Sequence, residues 1–258
     1  MFRNIFKKID EVLGGLEEDE VVITYEEEKF FSHIVGYSDI KKLLMKSIAS
    51  KEPIHILLTG PPASSKTVFL LEMLEGLDDS AYFVDAVGAS GAGMINYLFG
   101  NNNTKYLLID EIDKLKKSDQ IALLNIMENG ILSETKLTKG RTRQKKMNLW
   151  IFATCNEISR LSKPIRSRFM ELHLSEYTFE EFMEITRRSL VTKRYRHLDR
   201  PIAEKIGYTV WDKMRSKDIR DVIRIAKLTK SLSDVDWLVD LQVKYGRKKK
   251  EEEADDAD

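Results

Sequence analysis

The chain has 258 residues and is 42% hydrophobic, enough to bury a sizeable core in one large domain or two linked ones. Lysines and arginines number 42 and aspartates and glutamates 42, so no global field draws nucleic acid, and any such attraction has to come from a local patch. The single cysteine, Cys155, excludes an intramolecular disulfide and a cysteine-based zinc site. No stretch approaches the roughly 20 apolar residues of a membrane span, and the polar opening MFRNIFKKIDE lacks the apolar region of a secretory signal. The expectation is a cytoplasmic protein.

Residues 1–30 read as a helix and an acidic joint. Phe2, Ile5, Phe6, Ile9, Val12, Leu13 and Leu16 fall at helical spacing, Gly14-Gly15 punctuates them, and Glu17 to Glu20 follow. Such a helix either covers its own domain's core or docks on a partner. From 31 to 175, strand-like runs alternate with helical ones, as in an α/β domain with a mostly parallel sheet. The runs are His55–Thr59, Ala81–Asp85, Tyr106–Asp110, Leu149–Thr154 and Met170–Leu174. Most are continuously apolar, the pattern of strands covered on both faces.

The first run leads into Gly60-Pro61-Pro62-Ala63-Ser64-Ser65-Lys66-Thr67-Val68, close to the phosphate-loop pattern G-x-x-x-x-G-K-[ST]. Gly60, Lys66 and Thr67 match, and Ser65 replaces the second glycine. A buried strand before it and an amphipathic helix over Val68–Leu74 supply the setting that the pattern needs. Backbone N–H groups at the helix start would cradle phosphates, Lys66 would reach the β and γ oxygens, and the Thr67 hydroxyl would ligate Mg²⁺. Serine at position 65 is small, so weakened tolerance rather than lost ATP binding is expected. A chance turn before a helix is the alternative for the loop taken alone.

Tyr106-Leu-Leu-Ile-Asp-Glu-Ile-Asp113 then places carboxylates at the carboxyl end of an apolar strand, where α/β sheets gather ligands. Asp110 is the expected Mg²⁺ ligand and Glu111 the expected general base toward water. Ala153-Thr-Cys-Asn156 ends the next strand with a neutral side chain suited to orienting that water. After Ser175 the pattern turns helical, giving a lid over 176–246. Thr178-Phe-Glu-Glu181 forms a capping box there, Pro201 suits a first turn, and Ile219, Val222, Ile223 and Ala226 make an apolar stripe. Residues 247–258, RKKKEEEADDAD, have nothing apolar to fold around and read as a disordered tail.

The order GPPxxxKT, LLIDEID, ATCN and Pro164-Ile-Arg-Ser-Arg-Phe169 resembles the AAA+ ATPases over roughly Phe31 to Lys230. That likeness implies a P-loop parallel sheet sandwiched by helices, a small all-α lid, ATP and Mg²⁺ as ligands, and a homo-oligomeric ring, expected to be a hexamer. It further implies that Ile34 and Val35 line the adenine pocket, that Arg168 is an arginine finger reaching a neighbour's nucleotide, with Arg166 competing for that role, and that Arg220 is a second sensor.

Within the family, Leu123–Gly130 and the long insert before the fourth expected strand are similar to the RuvB group of branch-migration motors and to the MoxR and MCM groups. Ser64-Ser65 departs from the usual pair. No winged-helix module follows the lid, where the RuvB group has its DNA-binding module, and whether a separate protein supplies that function stays open. The insert carries Lys136, Lys139, Arg141, Arg143, Lys145 and Lys146 with no acid between them, and Gly140 could turn a hairpin. Spaced cations of this kind would track a phosphate backbone without reading sequence. A hairpin docking a protein remains open. Gly88–Gly93 could act as a hinge carrying Met94 and Tyr97 toward a ring's channel, or be an ordinary loop. The expected activity is ATP hydrolysis driving a RuvB-like ring on DNA in recombination or repair. A MoxR-like remodeller of protein complexes and a slowly hydrolysing, nucleotide-gated scaffold are the alternatives.

Overall fold

A computed structural model of the chain describes residues 30–89, 91–136, 141–190 and 198–246. The expected amphipathic helix over Met1–Leu16, the acidic joint, the charged tail, Lys139 and Gly140 lie outside the described residues, as do the side chains of Lys136 and Arg141. The chain forms two compact units, one ending at Glu176 and one beginning at Tyr177.

The first unit is built on five parallel strands: β1 (His55–Thr59), β2 (Ala81–Asp85), β3 (Tyr106–Asp110), β6 (Trp150–Cys155) and β7 (Phe169–His173). Their order across the sheet is β2-β3-β6-β1-β7. The remaining two, β4 (Ile131–Lys136) and β5 (Arg141–Lys146), pair antiparallel in a separate hairpin, with Lys136 opposite Arg141.

Continuous apolarity has the expected cause. Successive side chains point to opposite faces, and both faces are covered. Leu57, Leu107, Ile109, Ile151 and Ala153 pack with Met94 and Leu98 of α3 (Gly91–Gly100) and Leu123 and Ile126 of α4 (Lys117–Asn129). Ile56, Leu58, Leu108 and Phe152 pack on the other face with Leu44 of α1 (Ser38–Ile48) and Phe69, Leu70 and Met73 of α2 (Lys66–Leu77). Each fully buried leucine or phenylalanine contributes roughly 1.5–3 kcal/mol relative to exposure, so the two-sided core holds the strand ends in fixed register.

Two glycines permit the tight joins. Gly60 leaves β1 at φ +142°, and a β-carbon there would lie 2.3 Å from the Leu174 carbonyl oxygen. Gly130 ends α4 at φ +62°, and its carbonyl accepts the Met147 N–H at 2.7 Å, clamping the base of the hairpin. Met94 corrects one expectation: it is 1% exposed and belongs to the core, because α3 starts at Gly91 and turns position 94 inward rather than toward a channel.

A short helix, α5 (Lys163–Arg166), precedes β7. The second unit comprises α6 (Phe179–Leu190), α7 (Arg200–Asp212), α8 (Ile219–Leu228) and α9 (Leu232–Tyr245). Its start is fixed as the capping pattern requires. The Glu181 N–H donates to Thr178 Oγ1 at 3.2 Å, and the Thr178 N–H donates to Glu181 Oε2 at 2.9 Å. Pro201 lies in the first turn of α7, whose cap Asp199 accepts the Ile202 N–H at 3.0 Å. Phe182, Ile206, Val210, Val222 and Val239 fill its interior, with Trp211 tilted against Phe182 at 5.2 Å. Among the described residues no helix is long and apolar enough to cross a membrane.

Candidate active site

The loop between β1 and α2 is held in a conformation that ordinary residues avoid. Ala63 (φ 67°) and Ser65 (φ 60°) are both left-handed, a region that costs a non-glycine residue roughly 1–2 kcal/mol. Strain of this kind persists where the surrounding structure enforces it, and it clusters at ligand sites. Lys66, the first residue of α2, is buried. Its ammonium donates to the carbonyls of Gly60 (2.7 Å) and Pro61 (2.6 Å) and to Ser64 Oγ (3.3 Å). Burial lowers the Lys66 pKa, and the charges of Asp110, Asp113 and Glu111 oppose that shift. The loop therefore offers a desolvated cation and the amides of a helix N-terminus, which together fit a polyphosphate.

Asp110, at the end of β3, faces that loop. Thr67 Oγ1 lies 3.0 Å from each of its carboxylate oxygens, and Thr154 Oγ1 at the end of β6 donates to Oδ1 at 2.5 Å. A hydroxyl beside a carboxylate is the hard-oxygen donor set that Mg²⁺ accepts. Glu111 follows in a left-handed conformation (φ 52°, ψ 48°), with its N–H donating to Thr154 Oγ1 at 2.9 Å. Thr154 thus bridges the side chain of Asp110 and the main chain of Glu111. Asn156 completes the group, its Nδ2 donating to Glu111 Oε1 at 3.2 Å. All of these residues stand at the carboxyl ends of β1, β3 and β6, adjacent strands in the sheet.

Residues 56–177 match the family described as ATPase family associated with various cellular activities (AAA). The first unit is an AAA+ domain. The Holliday junction branch migration complex subunit RuvB of Wolbachia sp. subsp. Drosophila simulans (strain wRi) is 33% identical over 139 residues, covering 52% of this chain and 43% of that protein. RuvB of Mycoplasmopsis pulmonis is 27% identical over 61% of this chain and 53% of its own length. Lon protease of Flavobacterium johnsoniae is 27% identical over 70% of this chain and 26% of its own. The chain thus spans about half or less of the curated relatives it matches. Among solved structures, the Thermotoga maritima RuvB Holliday junction branch migration motor superposes with a TM-score of 0.60 at 21% identity, covering 80% of this chain and 70% of that one, a likeness of fold.

Other predicted site residues are placed less simply. Ile34 is a core residue whose carbonyl accepts from Lys41 Nζ at 2.6 Å, and Val35 is half-buried beside it. Pro61 and Pro62 lie within the loop, the Pro61 carbonyl accepting from Lys66 Nζ and from Ser64 Oγ, and Val68 lies in the first turn of α2. Both finger candidates are half-exposed, and each is paired within its own chain: Arg166 with Glu171 at 3.2 Å, and Arg168 with Glu128 of α4. Arg220, in the second unit, is paired with Asp218, 2.8 Å from Nη2 to Oδ2.

The hairpin departs most from the expectation of spaced, outward cations. Lys145 Nζ donates to the carbonyls of Leu98 (2.6 Å) and Asn101 (2.9 Å), capping the end of α3. Arg143 donates to Asn96 Oδ1 at 3.1 Å and lies over the Phe99 ring at 4.6 Å. Lys146 is exposed. Among the described residues no cluster of metal-ligating side chains beyond this oxygen set presents itself.

Sequence reasoning gave no role to Thr154, Asp113 or Glu128. Thr154 is placed by the strand register: Ala153 lies opposite Ile109, so the next pair across the strands is Thr154 and Asp110, which no local run of sequence shows. Glu128 is equally hidden, because its partner is forty residues away in sequence.

Proposed function

We propose that the chain hydrolyses ATP and that Lys66, Thr67, Asp110, Glu111 and Asn156 carry the reaction. The observation behind this reading is the convergence of Thr67, Thr154, Asp110, Glu111 and Asn156 within hydrogen-bond reach at one edge of the sheet. Lys66 exchanges the carbonyls of Gly60 and Pro61 for the β and γ oxygens of ATP. Mg²⁺, held by Thr67 and Asp110, supplies neutralising charge when bound. Glu111 accepts the proton of the attacking water, and Asn156 orients both. Ile34 and Val35 contribute to the adenine pocket, and Arg220 acts as a second sensor.

In this reading Arg168 exchanges Glu128 for a neighbouring subunit's γ-phosphate. A finger supplied in trans is worth about 10³- to 10⁵-fold in rate and requires a closed ring. The likeness to RuvB supports DNA as the track, engaged by Lys136, Lys139, Arg141 and Lys146. A protein substrate is the second reading. It is favoured by the engagement of Arg143 and Lys145 with α3, which leaves fewer cations for phosphate, and by the likeness to Lon protease.

Steady-state hydrolysis measured alone and with single-stranded, duplex and four-way-junction DNA, at two salt concentrations, separates the readings. A severalfold rise with one DNA form, erased by removing the hairpin's charges, supports the DNA motor; indifference to DNA at low salt moves the search to protein clients. Arg168→Ala is expected to abolish turnover while sparing ATP binding, and loss of binding instead would reject the finger.

A further inference from the structure

Asp113 is the most deeply buried carboxylate near the site, its side chain wholly inaccessible. It lies in the short 3₁₀ turn Ile112–Lys114 that the left-handed Glu111 starts as the chain leaves β3. Burying a carboxylate is costly unless donors surround it. Here the Asn156 N–H donates to Oδ1 at 3.2 Å, and the Lys114 ammonium forms an ion pair 2.9 Å from Oδ2, an oxygen that accepts no hydrogen bond of its own. Burial alone would raise the Asp113 pKa, but Lys114 and the Asn156 N–H outweigh it and lower it. The neighbouring Cys155 thiol is driven the other way, up to about 12, by burial and then by the charge of Asp113, so it stays protonated.

These groups are not scattered. Cys155 and Asn156 are consecutive at the end of β6, and Lys114 also lies 3.6 Å from the carboxylate of Glu157, the next residue. The Asp113–Lys114 pair therefore holds the main chain around Asn156. The same residue's side-chain amide is the one that contacts Glu111. With its peptide pinned, the Asn156 amide can move only about its own χ angles, and the Glu111 carboxylate has a fixed partner. An unpinned strand end would let both drift, and small misplacements of reacting groups cost rate heavily.

We infer that Asp113 is a positioning residue for hydrolysis: by anchoring the Asn156 peptide it sets the contact through which Asn156 orients Glu111. This rests on the ATPase reading. The test uses Asp113→Leu, which keeps the branched outline and removes the acceptor, Asp113→Ala as a second, smaller acceptor-free variant should the first not fold, and Asp113→Asn, which keeps an oxygen acceptor. Each is measured for kcat and KM, for the dissociation constant of a fluorescent ATP analogue, and again in an Asn156→Ala background.

The acceptor-free variants are expected to lower kcat about tenfold or more with nucleotide affinity within about twofold of wild type, and Asp113→Asn to return kcat to within about threefold. In the Asn156→Ala background the loss at position 113 should vanish, because the two changes break one contact. Wild-type kcat in the acceptor-free variants, or an undiminished further loss in the Asn156→Ala background, overturns the inference while the ATPase reading stands. Wild-type turnover no higher than that of Glu111→Gln sinks the ATPase reading, and the inference falls with it.

Discussion

The carboxyl edge of the sheet and the β4–β5 hairpin are both rich in charge, and they use it in opposite ways. At the edge, Asp110, Glu111, Lys66 and Asp113 face one another or fixed polar groups, each set on a strand end or turn that the two-sided core holds still. On the hairpin, two of the three cations with described side chains, Arg143 and Lys145, turn back onto α3 and hold it. A charge on a strand end is positioned by burial around it, whereas a charge on a two-stranded ribbon is free to serve whatever lies nearest.

The largest effect tests the edge. Glu111→Gln keeps the Asn156 contact in shape but removes the base, and turnover is expected to fall at least about 10²-fold while ATP binding persists. Single-turnover hydrolysis beside analogue binding checks this; hydrolysis at the wild-type rate would strip Glu111 of its role and with it the edge's claim to be a site.

How much of this edge was legible follows from what periodicity and spacing carry. The five strands, the phosphate loop, the acids after β3 and Asn156 all lie in local runs whose pattern names them. Cross-strand and cross-element partners do not. Thr154 acquires its bridge only when β6 lies beside β3, and Glu128 meets Arg168 only after α4 and the turn before β7 are brought together. The hinge alternative fails at Met94 because the glycine-rich stretch begins a helix at Gly91 whose inward face is position 94, which glycine content alone does not show. The hairpin was legible as a hairpin, yet the count of its cations could not say that Lys145 caps α3.

The sheet side also has a pH liability. His55 opens β1, buried, its Nδ1 accepting the Ile151 N–H at 3.2 Å, and burial lowers its pKa to about 4 despite a hydrogen bond to the Met127 backbone. The folded state thus refuses a proton that the unfolded chain accepts near its ordinary value of about 6.5. Stability from this residue is complete above that value and is lost as pH falls toward about 4, by roughly 2 kcal/mol between pH 6.5 and 5. Thermal melts across that range should show a slope that His55→Asn flattens; an unchanged slope would place the liability elsewhere.

On the hairpin, Lys145→Met is expected to cost about 1 kcal/mol, since it removes a cationic cap from the end of α3. Lys146→Met should leave the melting temperature unchanged and, on the DNA reading, reduce the salt dependence of binding by about one counterion. If the two variants behaved alike in both measurements, the division of the hairpin's cations between fold and ligand would collapse.

The smallest effect returns to the loop. Ser65 occupies a left-handed conformation where the phosphate-loop pattern has glycine, at the entry to α2. A serine there carries backbone strain that glycine lacks, although glycine also gains freedom in the unfolded chain. Strain relief outweighs that entropy, so Ser65→Gly is expected to stabilise the fold by about 0.5 kcal/mol, a rise of roughly 1–2 °C. The comparison with the hairpin sharpens here, because a gain would mean that the edge retains strain in the loop before α2 while its surroundings hold it in place. A fall in melting temperature would show instead that the serine side chain contributes more to the loop than its backbone costs, and the departure from glycine would then be part of how this site is built.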